Sequence, residues 1–478
     1  MKKTIIYITL GVVMAACSDL LVEEPKSLSA ETFYNTASEA DAAINAIYGP
    51  MRVDNGMSIN YPAQLEGLAD YGDSRGSQTP VSLYQGLDNT NISRVGAIWD
   101  AFYQSVRNAN LVIANVPNAK ELSDAQKQQY VGEAKFLRSL IYFAMVRNWA
   151  GVPIRTEENM TIADVPRSSV DDVYDLIVSD ALAAEQVLPD SPPQVGRASK
   201  WTAKTLLSEI YLTLGEWENS RDKAAEVIAS GKFSLVDVDG SEDFQKIYGP
   251  EVVNTSEEVF YFKYNRQQGF GLVSYAHRAT ADYKYYAGGG VYAQYTDTVK
   301  NSFMKQWDKK DLRKAHLLYK MDVGLGPNTC LYRKYRDPLS ATAGADFPWY
   351  RYADVLLFHA EANARANGGP TADALLSLNK VHRRAYGYDQ NAVSPVDFVL
   401  ADYDLTSFVD EVVQERGYET VYEGKRWLDL KRLGIAKQRI KEVKGIDVAD
   451  KHMLWPIPNS ELLYNKALDP IADQNPGY

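Results

Sequence analysis

The sequence predicts a mainly α protein of tetratricopeptide-like helix pairs, interrupted by long loop-rich insertions and a few short strands. Apolar residues recur at every third or fourth position over much of the 478-residue chain, which is the pattern of amphipathic helices. One pair of predicted helices also matches the spacing of a tetratricopeptide unit, through Leu207, Tyr211, Gly215, Trp217 and Ala224. Two stretches, 54–95 and 231–350, lack this periodicity and are rich in Gly, Asn and Tyr. A generic antiparallel helix pair is the alternative interpretation of the spacing.

The first 30 residues have the pattern of a targeting segment followed by a tether. Lys2 and Lys3 precede a short apolar run, and small residues then lead to Cys17. This order predicts a lipoprotein signal peptide over residues 1–16, a lipid-modified Cys17 and an extended tether over residues 17–30. The apolar run is shorter than the roughly 20 residues that span a bilayer, whereas two or more acyl chains anchor a protein stably. An ordinary cleaved signal with an incidental cysteine is the alternative.

Charge and cysteine content limit the classes of function. The chain has a net charge of −11, from 51 basic and 62 acidic residues. This balance disfavours nucleic acid, whose phosphates must be neutralised by Lys and Arg, and it fits a neutral ligand. With Cys17 lipidated, Cys330 has no partner for an intramolecular disulfide, so stability must come from a packed core. No segment after the signal has the pattern of a transmembrane helix.

The periodic segments predict helices within one domain over residues 31–478. They cover residues 37–48, 98–116, 125–149, 170–188, 200–214, 217–230, 352–366, 371–385, 405–422 and 426–433. Ser169 is the expected N-cap of the fourth, with Asp171 and Asp172 in the first turn, where negative charge suits the helix dipole. Residues 260–262 and 331–332 have the composition of short strands.

Tyrosine is unusually frequent, with 32 copies. Its flat apolar face and polar tip suit sugars, whose C–H faces stack on rings while their hydroxyls seek hydrogen bonds. The irregular stretches therefore predict a stacking platform for a polysaccharide, with Asp73 and Arg75 holding hydroxyls. The candidate rings are Tyr71, Tyr84, Tyr283, Tyr285, Tyr286, Tyr292 and Tyr295. The alternative is that most of them pack against the helical body, although adjacent Tyr285 and Tyr286 are not expected to be buried together.

Catalytic and metal-site motifs are weak. Residues 72–76 match the G-x-S-x-G pattern around Ser74, but a nucleophile elbow needs a buried strand before the serine, and residues 65–71 make a poor one. We therefore expect a polar binding loop and no catalytic residue. There is no H-E-x-x-H pair, and the acidic residues around Gly240 fail the EF-hand spacing, so no metal ligand or cofactor is predicted. A calcium site built from separate loops stays open, as does a surface glycosidase, because acid pairs depend on three-dimensional separation.

Several segments resemble, in order, the SusD/RagB-like family of outer-membrane nutrient-binding lipoproteins. They are GEAKFLR (132–138), VRNW (146–149), VPRSS (165–169), GRASK (196–200), YRYADVLL (350–357), the charged block 415–432, LWPIP (454–458) and NPGY (475–478). The acidic stretch after Cys17 also resembles the surface-export signal of Bacteroidetes lipoproteins.

The resemblance implies a right-handed scaffold of tetratricopeptide-like helix pairs, lipid-anchored at the cell surface as a lid on a SusC-like TonB-dependent transporter. It also implies capture of an oligosaccharide without cleavage, so the protein is expected not to be an enzyme. It assigns no ligand residue, because the matching motifs belong to the scaffold. Our functional prediction is a glycan-binding lipoprotein that delivers nutrient to this outer-membrane transporter. The alternative is a peptide-binding or protein–protein scaffold lipoprotein of an uptake complex, since some relatives bind peptides.

Overall fold

Helices dominate the computed structural model, which describes residues 33–478. Helix accounts for 52% and strand for 7%, which confirms the predicted mainly α class with a few short strands. The predicted signal peptide, the lipidation site Cys17 and the tether at residues 17–30 lie outside the described residues.

The α-helices are numbered along the chain. They are α1 Ala37–Arg52, α2 Asn60–Gly67, α3 Thr79–Ser82, α4 Asn89–Asn115, α5 Asp124–Trp149, α6 Val170–Val187, α7 Lys200–Leu214, α8 Trp217–Ala229, α9 Gln245–Tyr248, α10 Val273–Ala276, α11 Ser302–Gln306, α12 Leu312–Leu317, α13 Tyr352–Ala366, α14 Ala372–Ala385, α15 Leu405–Glu419, α16 Arg426–Arg432, α17 Ala436–Lys444 and α18 Asn459–Tyr464.

Four helix pairs stack side by side and form the scaffold. α1 packs on α4, α5 on α6, α7 on α8 and α13 on α14, and neighbouring pairs meet through α4–α5, α6–α7 and α8–α13. Buried apolar side chains from these pairs join one core, among them Ile44, Phe102, Leu137, Leu207 and Leu356. Because burial of each such side chain contributes about 2 kcal/mol, this shared core is the main source of stability.

Local sequence sets where the helices begin and end. Ser169 caps α6 through the backbone N–H of Asp172, as predicted, and Ser123 and Ser199 cap α5 and α7 in the same way. A cap of this kind contributes about 1 kcal/mol. Gly215 ends α7 at φ 78°, a left-handed conformation that glycine adopts without strain.

Two small antiparallel sheets occupy the loop-rich regions. The strands are β1 Asp73–Ser74, β2 Glu258–Phe262, β3 Gln294–Asp297, β4 Leu318–Lys320, β5 Thr329–Tyr332 and β6 Phe347–Arg351. One sheet has the order β1-β3-β5-β4, and the other pairs β2 with β6. β2 and β5 confirm the predicted strands at 260–262 and 331–332. The first sheet connects the two loop-rich stretches, because Asp73 lies opposite Tyr295.

Residues 54–95 hold more helix than the sequence predicted. α2 was not predicted because its residues from Tyr61 to Gly67 are all buried, polar Gln64 and Glu66 included, so no polar face reveals a helical period. α18, in the tail that follows Leu454, was also not predicted. α17 was not predicted either.

Candidate ligand-binding surface

The two loop-rich stretches meet at the edge strand β1. Asp73 pairs with Tyr295, and the backbone N–H of Arg75 donates to the carbonyl oxygen of Ala293 at 2.7 Å. This pairing places Arg75 beside the segment that carries Tyr292. Two residues that the sequence nominated from distant stretches are therefore neighbours.

Tyr292 contacts two guanidinium groups. Cζ of Arg75 lies 4.2 Å and Cζ of Arg278 5.0 Å from the centre of its ring, both within cation–π range. A hydrogen bond from Arg75 and the positive charge of Arg278 lower the pKa of the Tyr292 hydroxyl. The half-buried ring is thus held in a positive local potential.

Tyr283, Tyr285 and Tyr319 form a second cluster of rings. Tyr283 and Tyr285 stack with ring centres 5.8 Å apart, and Tyr319 packs edge-on to Tyr285 at 4.9 Å. Nη1 of Arg333 donates to the Tyr285 hydroxyl at 2.8 Å. Tyr283 and Tyr285 are only half-buried, so part of each ring remains accessible.

Arg278 connects the two clusters. Its backbone N–H donates to the Tyr319 hydroxyl at 2.9 Å, while its guanidinium reaches Tyr292. The clusters therefore form one continuous patch, which we call the tyrosine–arginine surface. It consists of Arg75, Arg278, Tyr283, Tyr285, Tyr292, Tyr319 and Arg333.

The glycine-rich segment 287–290 is fixed by close contacts. Gly290 has φ 62°, and a Cβ at this position would lie 2.1 Å from the carbonyl oxygen of His277, so only glycine fits. Two residues later Tyr292 has φ 38°, a strained conformation that costs about 1–3 kcal/mol for a residue with a side chain. Such strain persists only where the surroundings impose it. The packed segment therefore holds the Tyr292 ring against its arginines.

The structure places three of the predicted ring residues, Tyr71, Tyr84 and Tyr286, in the core, and this corrects that part of the prediction. The Tyr71 hydroxyl donates to Glu66, the Tyr84 hydroxyl donates to a backbone carbonyl oxygen, and the Tyr286 ring centre lies 4.0 Å from that of His277. Burial raises the pKa of all three phenols. Because each has its partner inside the fold, none is available to stack on a ligand.

The other nominated residues lie at or beside the surface. Tyr283, Tyr285, Tyr292 and Arg75 belong to it, and their role in binding stays a prediction. Asp73 adjoins it, but its Oδ1 lies 3.8 Å from a lysine Nζ, so this carboxylate has a cationic neighbour within the protein.

Three residues of the surface were missed in the sequence. Arg278 lies in the same tyrosine-rich stretch, and a search for basic residues between the tyrosines would have found it. Tyr319 and Arg333 reach the surface through the pairing of β4 with β5, which no local pattern reveals.

Ser74 does not occupy a nucleophile elbow. It lies within β1, is buried, and its backbone N–H donates to Oγ of Ser82 at 3.0 Å. An elbow instead exposes its serine at a sharp turn between a strand and a helix. The G-x-S-x-G match is therefore part of the sheet edge.

Comparison with known proteins finds relatives along the whole chain. The family described as "Starch-binding associating with outer membrane" matches residues 24–212, and the family described as "SusD family" matches residues 327–478. SusD-like protein P2 of Formosa agariphila is 27% identical, with 100% of both chains covered. The chain belongs to the SusD/RagB-like family.

Solved SusD-like structures share the fold. A SusD homolog from Bacteroides thetaiotaomicron superposes with a TM-score of 0.81 at 22% identity, covering 94% of this chain and 98% of that one. Surface glycan-binding protein A from Bacteroides fluxus gives 0.75 at 20% identity, covering 93% and 100%. A structure described as a laminarin-binding SusD-like protein gives 0.74 at 22% identity, also covering 93% and 100%.

The motifs that carry the SusD/RagB resemblance contact one another. Nη2 of Arg197 in GRASK lies 2.7 Å from Oε2 of Glu133 in GEAKFLR. Nδ2 of Asn475 in NPGY donates to the carbonyl oxygens of Trp149 at 3.0 Å and Trp455 at 2.7 Å. These motifs join distant parts of the chain, and this is a scaffold role.

The charged block 415–432 is also structural. Its carboxylates face buried arginines: Arg351 lies 2.6 Å from Glu419 and 2.7 Å from Glu423. Arg426, which belongs to the block, lies 2.7 Å from Asp70, a residue near the amino-terminal end of the chain. The block therefore forms a buried ionic network, and no basic patch faces solvent there.

Residues 33–478 contain neither a membrane-spanning helix nor a cluster of metal-binding side chains. No helix in this part is long and apolar enough to cross a bilayer. No group of three or more His, Cys, Asp or Glu side chains in the same part is arranged to hold a metal ion. The acidic turn near Gly240 is closed by Asp243, whose Oδ2 accepts the backbone N–H groups of Asp239 and Gly240 at 3.0 Å.

Proposed function

We propose that this protein captures a glycan at the tyrosine–arginine surface and passes it, uncleaved, to a SusC-like TonB-dependent transporter in the outer membrane. The observation that carries the proposal is the joining of two clusters of half-buried rings, Tyr283 with Tyr285 and Tyr292, into one patch with guanidinium groups. Family membership and the two glycan-binding relatives described above support it.

The chemistry of the surface suits sugar. Each accessible ring offers a flat apolar face to the C–H groups of a pyranose, and the arginines offer donors to its hydroxyls. The rings are held by neighbouring side chains, so little side-chain entropy is lost on binding. Stacking of about 1 kcal/mol per ring gives modest affinity at one site, and a repeating glycan raises the apparent value.

Binding without cleavage is favoured by how the adjoining carboxylates are engaged. Glycoside hydrolysis uses two acids placed on either side of the scissile bond. Asp73 lies 3.8 Å from Lys444, and Glu242 lies 2.6 Å from Arg336, which neighbours the Tyr285 ring. Both acids are therefore in ion pairs with the protein. Incubation with any bound glycan should release no shorter product, and product release would make the protein an enzyme.

Ring substitution tests the binding site. We expect Tyr283→Ala, Tyr285→Ala and Tyr292→Ala together to weaken glycan affinity about 100-fold, since three rings at about 1 kcal/mol each are removed. Affinity is measured by calorimetry against a polysaccharide panel. Tyr388→Ala is the matched control, because Tyr388 is exposed and outside the surface. Tight binding of a peptide, with no glycan bound, would instead favour the peptide-binding alternative.

The membrane arrangement is tested separately. Lipidation at Cys17 and the docking on a transporter rest on the sequence and on the family, whose description includes association with the outer membrane. We expect the transporter to co-purify with the full chain from detergent-solubilised outer membranes. Recovery of the protein only from the soluble fraction would contradict this part of the proposal.

A further inference from the structure

We infer that the glycan taken by this surface is anionic, with a carboxylate or sulfate group that binds between Arg75 and Arg278 beside the Tyr292 ring. This inference rests on the proposed function and names the substrate class of the same site. It also departs from the neutral ligand that the overall charge of the chain suggested.

Arg75 and Arg278 contact the Tyr292 ring, but neither forms an ion pair with a carboxylate of the described residues. Within residues 33–478, neither Arg75 nor Arg278 has a carboxylate oxygen within 4.0 Å of its guanidinium nitrogens. Arg278 is exposed and Arg75 is half-buried. The chain carries an excess of acidic residues, with 62 against 51 basic ones, so unpaired arginines gathered at one ring are not explained by a shortage of partners.

The two ends of the tyrosine–arginine surface differ in whether their arginines have a carboxylate partner. At the Tyr285 end the neighbouring arginines have a counter-charge, since Glu242 lies 2.6 Å from Arg336 and 3.9 Å from Arg333. At the Tyr292 end, no carboxylate oxygen of the described residues lies within 4.0 Å of Arg75 or Arg278, and the nearby Asp73 faces Lys444 at 3.8 Å. The positive charge that a ligand would meet is therefore concentrated at Tyr292, and the Tyr283 and Tyr285 rings are left for stacking on the sugar.

The guanidinium groups of Arg75 and Arg278 contact the same ring, that of Tyr292. Two guanidinium groups held against one ring repel each other, and an anion placed between them relieves that repulsion. Guanidinium groups bind carboxylate and sulfate oxygens through paired, charge-assisted hydrogen bonds. The close contacts at Gly290 and the strained backbone at Tyr292 keep the ring in place, so this arrangement exists before the ligand arrives.

The test compares acidic polysaccharides with their neutral counterparts. The probes are a set of uronate-containing polysaccharides, each with its carboxyl-reduced form, and a set of sulfated polysaccharides, each with its desulfated form. We expect at least one acidic polysaccharide to bind at least 10-fold more tightly than its neutral form and to weaken as NaCl rises from about 50 to 500 mM. The set to which it belongs distinguishes a carboxylate from a sulfate ligand.

Substitutions locate the charge dependence. Arg75→Gln and Arg278→Gln should each weaken binding of the acidic form about 5- to 10-fold more than they weaken binding of the neutral form, which loses only hydrogen bonds to its hydroxyls. Arg221→Gln is the control, because Arg221 lies on α8 at the surface and pairs with its neighbour Asp222. Circular dichroism confirms that the variants are folded.

Each contrary result has a distinct meaning. Equal binding of acidic and neutral forms, unaffected by the arginine substitutions, would overturn the inference and leave the proposed function standing. Equal weakening by Arg221→Gln would show non-specific attraction of polyanions and would also overturn it. Failure to bind any glycan would remove the proposed function itself.

Discussion

Gly290→Ala should weaken glycan binding, because it displaces the backbone segment that positions Tyr292. The φ of 62° costs alanine about 1–2 kcal/mol, and its Cβ would lie 2.1 Å from the carbonyl oxygen of His277. Relief of such an overlap costs typically a further 1–3 kcal/mol. The total, about 2–5 kcal/mol, is enough to shift the segment. We expect Tyr292, two residues away, to leave its position beside Arg75.

Glycan affinity and thermal melting are measured together on Gly290→Ala and on Gly289→Ala. The adjacent glycine is a matched control, because a Cβ there meets nothing within 4 Å and its backbone is not left-handed. We expect Gly290→Ala to lose at least 10-fold in affinity and Gly289→Ala to stay within about twofold of the wild type. Unchanged binding by Gly290→Ala, or equal loss in both variants, would refute the argument that close packing of this segment forms the site.

Three further predictions concern stability and anchoring. Arg351→Met should lower the free energy of unfolding by about 3–5 kcal/mol in guanidinium titrations, because it leaves Glu419 and Glu423 buried beside fewer cations. Arg221→Gln, at a half-buried arginine paired with exposed Asp222, should change it by less than about 0.5 kcal/mol. A similar small loss in both variants would show that the network contributes little. Burial raises the pKa of Glu66 to about 7, so its contribution to stability is complete below about pH 4.5 and is lost as the pH rises through 7. In denaturant titrations at pH 4.5 and 8, Glu66→Gln should reduce the difference in the free energy of unfolding between the two pH values by about 3 kcal/mol. An unchanged difference would contradict the assignment. Cys17→Ser should abolish incorporation of labelled fatty acid, and retained label would place the lipid elsewhere.

Periodicity and caps allowed the scaffold to be predicted. α7 and α13 match their predicted bounds because their ends are clearly marked: Ser199 caps the start of α7 and Gly215 ends it, and α13 starts at the change from strand to helix at Arg351. α2 was missed because its polar residues Gln64 and Glu66 are buried along with its apolar ones, so they mark no solvent-facing side of a helix.

The binding surface was only partly predictable, because the sequence gives residue types and not their partners. Tyr71 and Tyr292 both occur in segments that contain glycine and lack a clear period, yet the Tyr71 hydroxyl donates to Glu66 inside the core while Tyr292 remains half-buried. What separates them is the docking of α2, a tertiary event. Arg278 shows a second limit: its unpaired charge is visible only once every nearby carboxylate has been placed.

Pairing between the first hundred residues and the last hundred has a consequence for export. Glu66 accepts from the backbone N–H of Gly424 at 2.6 Å, and Asp70 lies 2.7 Å from Arg426. A polypeptide that crosses the inner membrane amino end first presents both acids some 350 residues before their partners emerge. Contacts this remote in sequence form late and slow down maturation. If the chain is exported as we propose, its amino-terminal part waits in the periplasm with Glu66 and Asp70 unpartnered until the last hundred residues arrive.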